Sequence, residues 1–226
     1  MVQKIGILNE KPLHAGLKTY LAGPGDQFEV EIGGYVVDLV KDDLLVEIQT
    51  SNFSSIKNKL VNLTQRNRLK LVYPIAGEKW IVKLPEISGG KEKKRKSPKR
   101  GRMVDVFNDL VYIPHLITVE NFMLEILLTY EEEVRRYIGK GRWRNQGWAV
   151  VERRLIGVID RYEISNPNDL MRLIPSQLPQ QFTTLELAET MDIPQRLAQK
   201  AAYCLRNIGT IKKVGNRDRR ILYEMN

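Results

Sequence analysis

The chain is poor in the residues that build most metal and redox centres. Of its 226 residues one is cysteine, Cys204, and two are histidine, His14 and His115. A lone cysteine excludes an internal disulfide framework and a multi-cysteine zinc site. Two histidines make a histidine-rich metal site a poor expectation, so a metal here should be a hard cation held by oxygen, Mg²⁺ or Mn²⁺. No apolar run approaches the length of a membrane span, and the N-terminus has no signal-peptide pattern, so the expected location is the cytoplasm, without membrane contact. Cys204 falls inside an amphipathic stretch, where packing is the expectation.

Charge is plentiful but unevenly placed. The formal net charge is +9, from 36 Lys and Arg against 27 Asp and Glu. Between Lys91 and Arg102 there are eight basic residues and one acid, Glu92. The rest of the chain is close to neutral, so the basic signal is a local tract. It holds Ser, Pro and Gly and nothing apolar, which predicts a mobile segment over 87–102 that contacts phosphates through Lys99, Arg100 and Arg102, or else a solvated loop.

The most informative stretch is 35–50, two short apolar runs joined at Lys41-Asp42-Asp43. Each reads as a strand. With Asp42-Asp43 at the tip, opposed residue numbers sum to 85, so Asp38 faces Glu47 and Val36 faces Gln49. Alternation then places Asp38, Glu47 and Gln49 on one face and Val37, Leu39, Val46 and Ile48 on the other. Two carboxylates about 5 Å apart repel unless a cation lies between them. Burying either one unpaired costs several kcal/mol. The bland alternative is a pair of edge-strand charges facing water.

Around this hairpin, Pro12 opens a helix with Leu13, Leu17, Tyr20 and Leu21 at helical spacing, ended at Gly23-Pro24-Gly25. Glu10, His14 and Lys18 lie four apart, either as a solvated face or with Glu10 leaning towards the hairpin. Phe28–Ile32 alternates as a strand, with Glu29 and Glu31 facing solvent. Ser51, Asn52 and Ser54 precede a helix with Ile56, Leu60 and Leu63 inward. Residues 69–75 form a strand that can pair in parallel with the one ending at Gln49.

Helix, three antiparallel strands, helix, strand, with Asp38 on the second strand and Glu47-Ile48-Gln49 on the third, resembles the PD-(D/E)xK nuclease superfamily, the restriction-endonuclease-like fold. The resemblance covers roughly residues 5–80. It implies an α/β fold with a mixed sheet flanked by helices. It also implies a metal site of Asp38, Glu47 and the Ile48 carbonyl, holding Mg²⁺ or Mn²⁺ against a phosphodiester. Gln49 stands where the family usually has Lys and is expected to position the attacking water. Lys57 on the following helix is the candidate substitute for that Lys, and Glu10 matches the occasional helix acid.

Lys79–Leu84 reads as a further strand and Val104–Leu110 as a helix. For 121–134 and 148–162 periodicity does not separate strand from helix. Arg142-Trp143-Arg144 is either a nucleic-acid contact or an ordinary loop. From 163 to 226 the pattern is plainer. Asn166-Pro167 starts a short helix. Thr183 and Glu186 have capping-box spacing before a second helix. A third runs from Pro194 to Ile208 and ends at Gly209. A hairpin is expected around residues 215–218. This resembles a winged helix-turn-helix, a small domain (163–226) after a nuclease domain (1–162). Arg196, Gln199 and Lys200 on the third helix, with Arg217 and Arg219 on the wing, would contact double-stranded DNA. The leading expectation is a metal-dependent DNA endonuclease, possible as a homodimer. The rivals are an inactive DNA-binding regulator on the same fold and an RNA-processing nuclease.

Overall fold

In the computed structural model, residues 10–86, 90–139 and 146–226 are described. The start of the expected mobile segment and Arg142-Trp143-Arg144 lie outside them. The first part of the chain is a seven-stranded mixed sheet, so the coarse α/β class holds. Helix α1 (Pro12–Leu21) has Pro12 in its first turn and buries Leu13 and Leu17, while Tyr20 faces solvent. Strands β1 (Gln27–Ile32), β2 (Tyr35–Lys41) and β3 (Leu44–Ile48) follow as an antiparallel meander. A 3-10 turn at Phe53–Ile56 leads into helix α2 (Lys57–Thr64), which returns the chain to a strand parallel to β3.

That strand, β4, runs unbroken from Arg68 to Lys83, joining the two expected short strands. Pro74 and Gly77 look like breaks in sequence. Pro74 keeps its place in the ladder opposite Leu127, and the register slips by one residue only between Ala76 and Glu78, at Gly77. The ambiguous stretches are both strands, β6 (Phe122–Tyr137), parallel to β4, and β7 (Trp148–Ile164), antiparallel to β6. The spatial order is β1-β2-β3-β4-β6-β7. Between β4 and β6 lie a 3-10 turn at Met103–Val106 and the short helix α3 (Phe107–Leu110).

The basic tract is a correction to the expected mobile arm. Residues Lys93–Lys96 form β5, paired antiparallel with the far half of β4 from Trp80↔Lys96 to Lys83↔Lys93. Without apolar side chains it is held by opposite charge: Lys94 pairs with Glu132 and Lys96 with Glu78. Lys94 also sits 5.2 Å above the Trp80 ring.

After α4 (Pro167–Met171), capped by the Asn166 side chain, come β8 (Gln181–Thr183), α5 (Thr184–Met191), α6 (Gln195–Asn207), β9 (Ile211–Arg217) and β10 (Arg220–Met225). The capping box forms: Thr183 and Glu186 exchange hydrogen bonds at the start of α5. Strand β8, unseen in sequence, pairs with β10 to make a three-stranded sheet β8-β10-β9. The hairpin turn lies at Asp218-Arg219, both left-handed, rather than around residues 215–218. Gly215 and Asn216 stay in the ladder, opposite Leu222 and Ile221.

Two apolar clusters sandwich the large sheet. Leu13 and Leu17 of α1 pack with Leu39, Val46, Ile48 and Val72. On the other face Leu60 and Leu63 of α2 pack with Leu45, Leu69 and Leu71. The second cluster continues through Phe107 and Leu110 into Leu187, Ala198, Ala201 and Leu205 of the C-terminal helices, so one core spans both halves of the chain. Among the described residues no helix is long and apolar enough to cross a membrane.

Candidate functional site

The β2–β3 hairpin has the expected register, with Leu39↔Val46, Val40↔Leu45 and Lys41↔Leu44 as partners. Asp42 supplies the left-handed conformation of the tip, φ +49°. Beyond Leu39↔Val46 the ladder opens, and the Asp38 carboxylate fills the split. Its Oδ2 accepts the Ile48 N–H at 2.8 Å. On the β1 side the pair that would join Glu29 to Asp38 is also missing, and Glu29 has φ +52°. Strand alternation therefore breaks at Asp38. Leu39 belongs to the α1 cluster, whereas Val37 belongs to the α2 cluster. The expectation that Val37 and Leu39 share a face, opposite Asp38, Glu47 and Gln49, is corrected here.

The two acids are reached from opposite sides. His14 of α1 brings Nε2 to 3.2 Å from Asp38 Oδ2, and its Nδ1 lies 2.5 Å from Glu10 Oε1. Lys18 joins the same group, at 2.7 Å from Glu10 and 3.1 Å from Glu29. Glu10, His14 and Lys18 thus share one helix face turned towards the hairpin, and Glu29, expected in solvent, is half-buried beside them. From the other side Lys59 of α2 donates to Glu47 and, at 2.6 Å, to the Val36 carbonyl. Glu47 is 5% exposed, and its Oε2 is buried with no hydrogen-bond partner.

Gln49 and Lys57 are placed elsewhere. Gln49 extends the ladder through its N–H to the Val72 carbonyl. Its side-chain amide donates to the Ser51 and Asn52 carbonyls and to Ser55 Oγ, so it braces the loop entering α2. Lys57 is exposed and lies near His115, whose pKa is lowered by burial and by the Lys57 charge. Successive residues turn by about 100° on a helix, so Lys59 lies some 200° round α2 from Lys57, on the opposite side. Lys59, and not Lys57, is the α2 lysine that reaches Glu47. Ile48 buries its side chain against α1.

The charges are interdependent. Burial, and next the Asp38 charge, push Glu47 up to about 7, against the pull of Lys59. Burial also disfavours the Asp38 anion, but His14 and the Ile48 amide outweigh it and hold the carboxyl below its ordinary range. For His14, burial works against the imidazolium and the bonds to Asp38 and Glu10 overcome it, so its pKa is raised. A cavity of about 340 Å³ opens beside these groups, lined by Glu10, His14, Lys18, Glu29, Asp38 and Thr50. Thr50 also lines a second cavity of about 250 Å³ with Lys79, Lys99, Asn108 and Arg153.

The expected nucleic-acid contacts divide. Lys99 lines the second cavity and Arg100 lies 3.9 Å from Glu78. Arg102 instead donates to the Met191 and Asp192 carbonyls at the end of α5. On α6, Arg196 and Gln199 are exposed, but Lys200 donates to the carbonyl and side chain of Asn108 in α3. Arg217 pairs with Glu186, and Arg219 forms the exposed turn. Arg102 and Lys200 are thus ties between the two halves of the chain. Cys204 is buried, and burial pushes its thiol up to about 12, an inert packing residue.

Among the described residues no set of three or more His, Cys, Asp or Glu side chains forms a metal-holding group. Among the described residues, the hairpin itself offers a cation two carboxylates, Asp38 and Glu47, and main-chain carbonyls. They fit a hard divalent cation, because Glu47 Oε2 is a buried oxygen lacking a partner and the Asp38 charge already strains its ionisation.

A family model described as "Domain of unknown function (DUF8091)" matches residues 11–165. Over 187 residues the chain is 32% identical to an uncharacterized protein of Treponema pallidum (strain Nichols), a match covering 82% of this chain and 74% of that relative. No solved structure matches the chain. The chain belongs to the DUF8091 family.

Proposed function

We propose that this member of the DUF8091 family is a divalent-cation-dependent endonuclease of the PD-(D/E)xK type, acting on DNA. One observation carries the reading: Lys59 of α2 lies on Glu47, beside Asp38, and so supplies the ammonium for which β3 offers only Gln49. Asp38 and Glu47, with the Ile48 carbonyl, would hold Mg²⁺ or Mn²⁺. When bound, such a cation neutralises charge on the phosphodiester in the transition state and acidifies the attacking water. The chain's own groups do the rest. The Ile48 amide and His14 fix the orientation of Asp38. Lys59 is near enough to stabilise negative charge building on a phosphate oxygen. Glu10 holds His14, and through it Asp38, in place.

The C-terminal unit supports a reading as a winged helix-turn-helix. Its helices α5 and α6 are followed by the β9–β10 hairpin, and β8 pairs with β10. The α6 surface left for DNA is Gln195, Arg196 and Gln199, with Arg219 at the hairpin tip. A second reading, an inactive DNA-binding regulator, is favoured by one feature. Lys59 and His14 already supply counter-charges to both acids, so the pair can persist without a cation.

Incubation of the protein with supercoiled plasmid in Mg²⁺, in Mn²⁺ and in chelator, beside Glu47→Ala and Lys59→Met, tests the proposal. Cation-dependent nicking that both substitutions remove is the expected result. Retained plasmid binding with no cleavage under any cation sinks the nuclease and leaves the regulator. Cleavage of RNA in preference to DNA overturns the substrate assignment.

A further inference from the structure

Beyond the helices, the far halves of β4, β6 and β7 continue with β5 as a four-stranded ribbon whose two faces differ in charge. Residues opposed in a ladder share a face. One row is Arg95, Ile81, Glu133 and Arg153; the next is Lys93, Lys83, Arg135 and Val150. Lys79 and Glu131 form the row before. Among the described residues this face therefore gathers six cations, Lys79, Lys83, Lys93, Arg95, Arg135 and Arg153, against two carboxylates, Glu131 and Glu133, and both carboxylates are buried. The acids sit behind the row and fix three of the cations, Lys79, Arg135 and Arg153. Arg153 makes a two-point contact with Glu131 at 3.0 and 2.8 Å, and Glu133 holds Lys79 at 2.7 Å and Arg135 Nε at 2.7 Å. On the opposite face Lys94, Lys96 and Arg154 are matched by Glu132, Glu78 and Glu152. The basic face ends in an aromatic pair, Tyr137 and Trp148, with ring centres 5.6 Å apart and Lys83 over the Trp148 ring. At its other end Lys79 and Arg153 line the cavity that shares Thr50 with the Asp38 cavity.

We infer that this face of the ribbon is a binding track for a single strand of nucleic acid running between the Tyr137–Trp148 pair and the Asp38–Glu47 site. The inference rests on the nuclease reading for the direction of the track, though not for its chemistry. Cations two residues apart along paired strands suit a phosphate backbone, and an aromatic pair suits unstacked bases, which a duplex keeps inside. Glu131 and Glu133 are positioning residues for Lys79, Arg135 and Arg153.

The test is fluorescence anisotropy of a labelled single-stranded oligodeoxynucleotide with the full chain, in chelator, across a salt series. Lys93→Gln/Arg95→Gln removes two exposed charges from the basic face. Lys94→Gln/Lys96→Gln removes two from the other face of the same strand. The first pair should weaken binding at least tenfold and reduce the salt slope by about 1.4, two phosphate contacts on a single strand. The second should leave both within twofold, and Trp148→Ala should weaken binding without changing the slope. Equal losses from the two pairs, or none from the first, overturn the track. A duplex of the same sequence bound as tightly, with the same losses, overturns the single-strand assignment. Glu47→Ala separates the two readings. Binding that depends on Lys93 and Arg95 in a protein that never cuts removes the nuclease and keeps the track, while cutting with affinity indifferent to Lys93 and Arg95 does the reverse.

Discussion

Lys59, three residues into α2, forms an ion pair with Glu47 of β3 across the face that buries Leu45 and Leu71, and this pair couples the helix to the acidic hairpin. The pairing gives Lys59 surroundings that Lys57 and Gln49 do not share. Lys59→Met should lower cation-dependent cleavage by about 100-fold or more while leaving DNA affinity within a few-fold. Lys57→Met should leave cleavage unchanged. Gln49→Ala should cost about 1 kcal/mol of stability through the lost loop bonds and little activity. Plasmid nicking rates and urea unfolding of the three variants check this, and a larger loss of cleavage in Gln49→Ala than in Lys59→Met would refute the assignment.

The burial of Glu47 makes stability depend on pH. Its carboxyl lies at about 7 in the folded protein, above the ordinary value of 4.5. The folded state therefore holds a proton that the unfolded chain releases earlier, and the contribution is fully present below pH 4.5 and is lost as pH rises through about 7. Without added cation, Glu47→Gln should raise stability at pH 8 by roughly 1–3 kcal/mol and change little at pH 4.5. Thermal unfolding in chelator at the two pH values measures the difference. Stability that falls at pH 8 on Glu47→Gln would show that the ionised carboxylate is well satisfied in the fold.

What the sequence discloses here follows the range of the interactions. The hairpin register is legible because two apolar runs and a polar tip fix it locally, and the Thr183–Glu186 box because both partners lie within one turn. Strands β6 and β7 are not legible, because Glu131 and Glu133 interrupt the apolar pattern. They are tolerated inside the sheet through Arg153 and Lys79 on the neighbouring strands and Arg135 two residues along β6 itself. The split at Asp38 is hidden for the same reason. Alternation assumes an intact ladder, and the Ile48 amide leaves the ladder to bond a side chain. Lys59 is missed although the Leu60 and Leu63 stripe shows which face of α2 meets the sheet, because its reach to Glu47 is a contact between distant segments that spacing does not reveal.

The two histidines should titrate in opposite directions. His14 is raised above the usual 6.5 once Asp38 and Glu10 outweigh burial, and His115 is lowered by burial and Lys57. A raised imidazole stabilises the fold below its unfolded pKa, and that contribution is lost as pH rises through the folded value. His115 behaves oppositely, opposing folding at low pH. Proton NMR titration, assigned with His115→Gln, should show His14 midpoint above 6.5 and His115 midpoint below it. Asp38→Asn should bring His14 down towards burial-dominated values, and an unmoved His14 would mean that Asp38 is not its partner.

Arg102 and Lys200 were expected at DNA and are found tying the chain together. The Arg102 guanidinium donates to the Met191 and Asp192 carbonyls, where α5 exposes the negative end of its dipole, and Lys200 holds Asn108. Hydrogen bonds from charged donors contribute about 1.5–3 kcal/mol each when geometry is fixed. Arg102→Ala should therefore lower the unfolding midpoint, by about 1–2 kcal/mol in stability, with a smaller effect on DNA affinity than Arg196→Ala, whose side chain is exposed on α6. Because one apolar core runs from Phe107 to Leu205, the loss should appear in a single cooperative transition. Urea unfolding followed by tryptophan fluorescence and by far-ultraviolet circular dichroism tests this. Two separated transitions in Arg102→Ala would show that the ties, rather than the shared core, join the C-terminal unit to the sheet. A loss of DNA affinity greater than that of Arg196→Ala, at unchanged stability, would return Arg102 to the nucleic-acid surface.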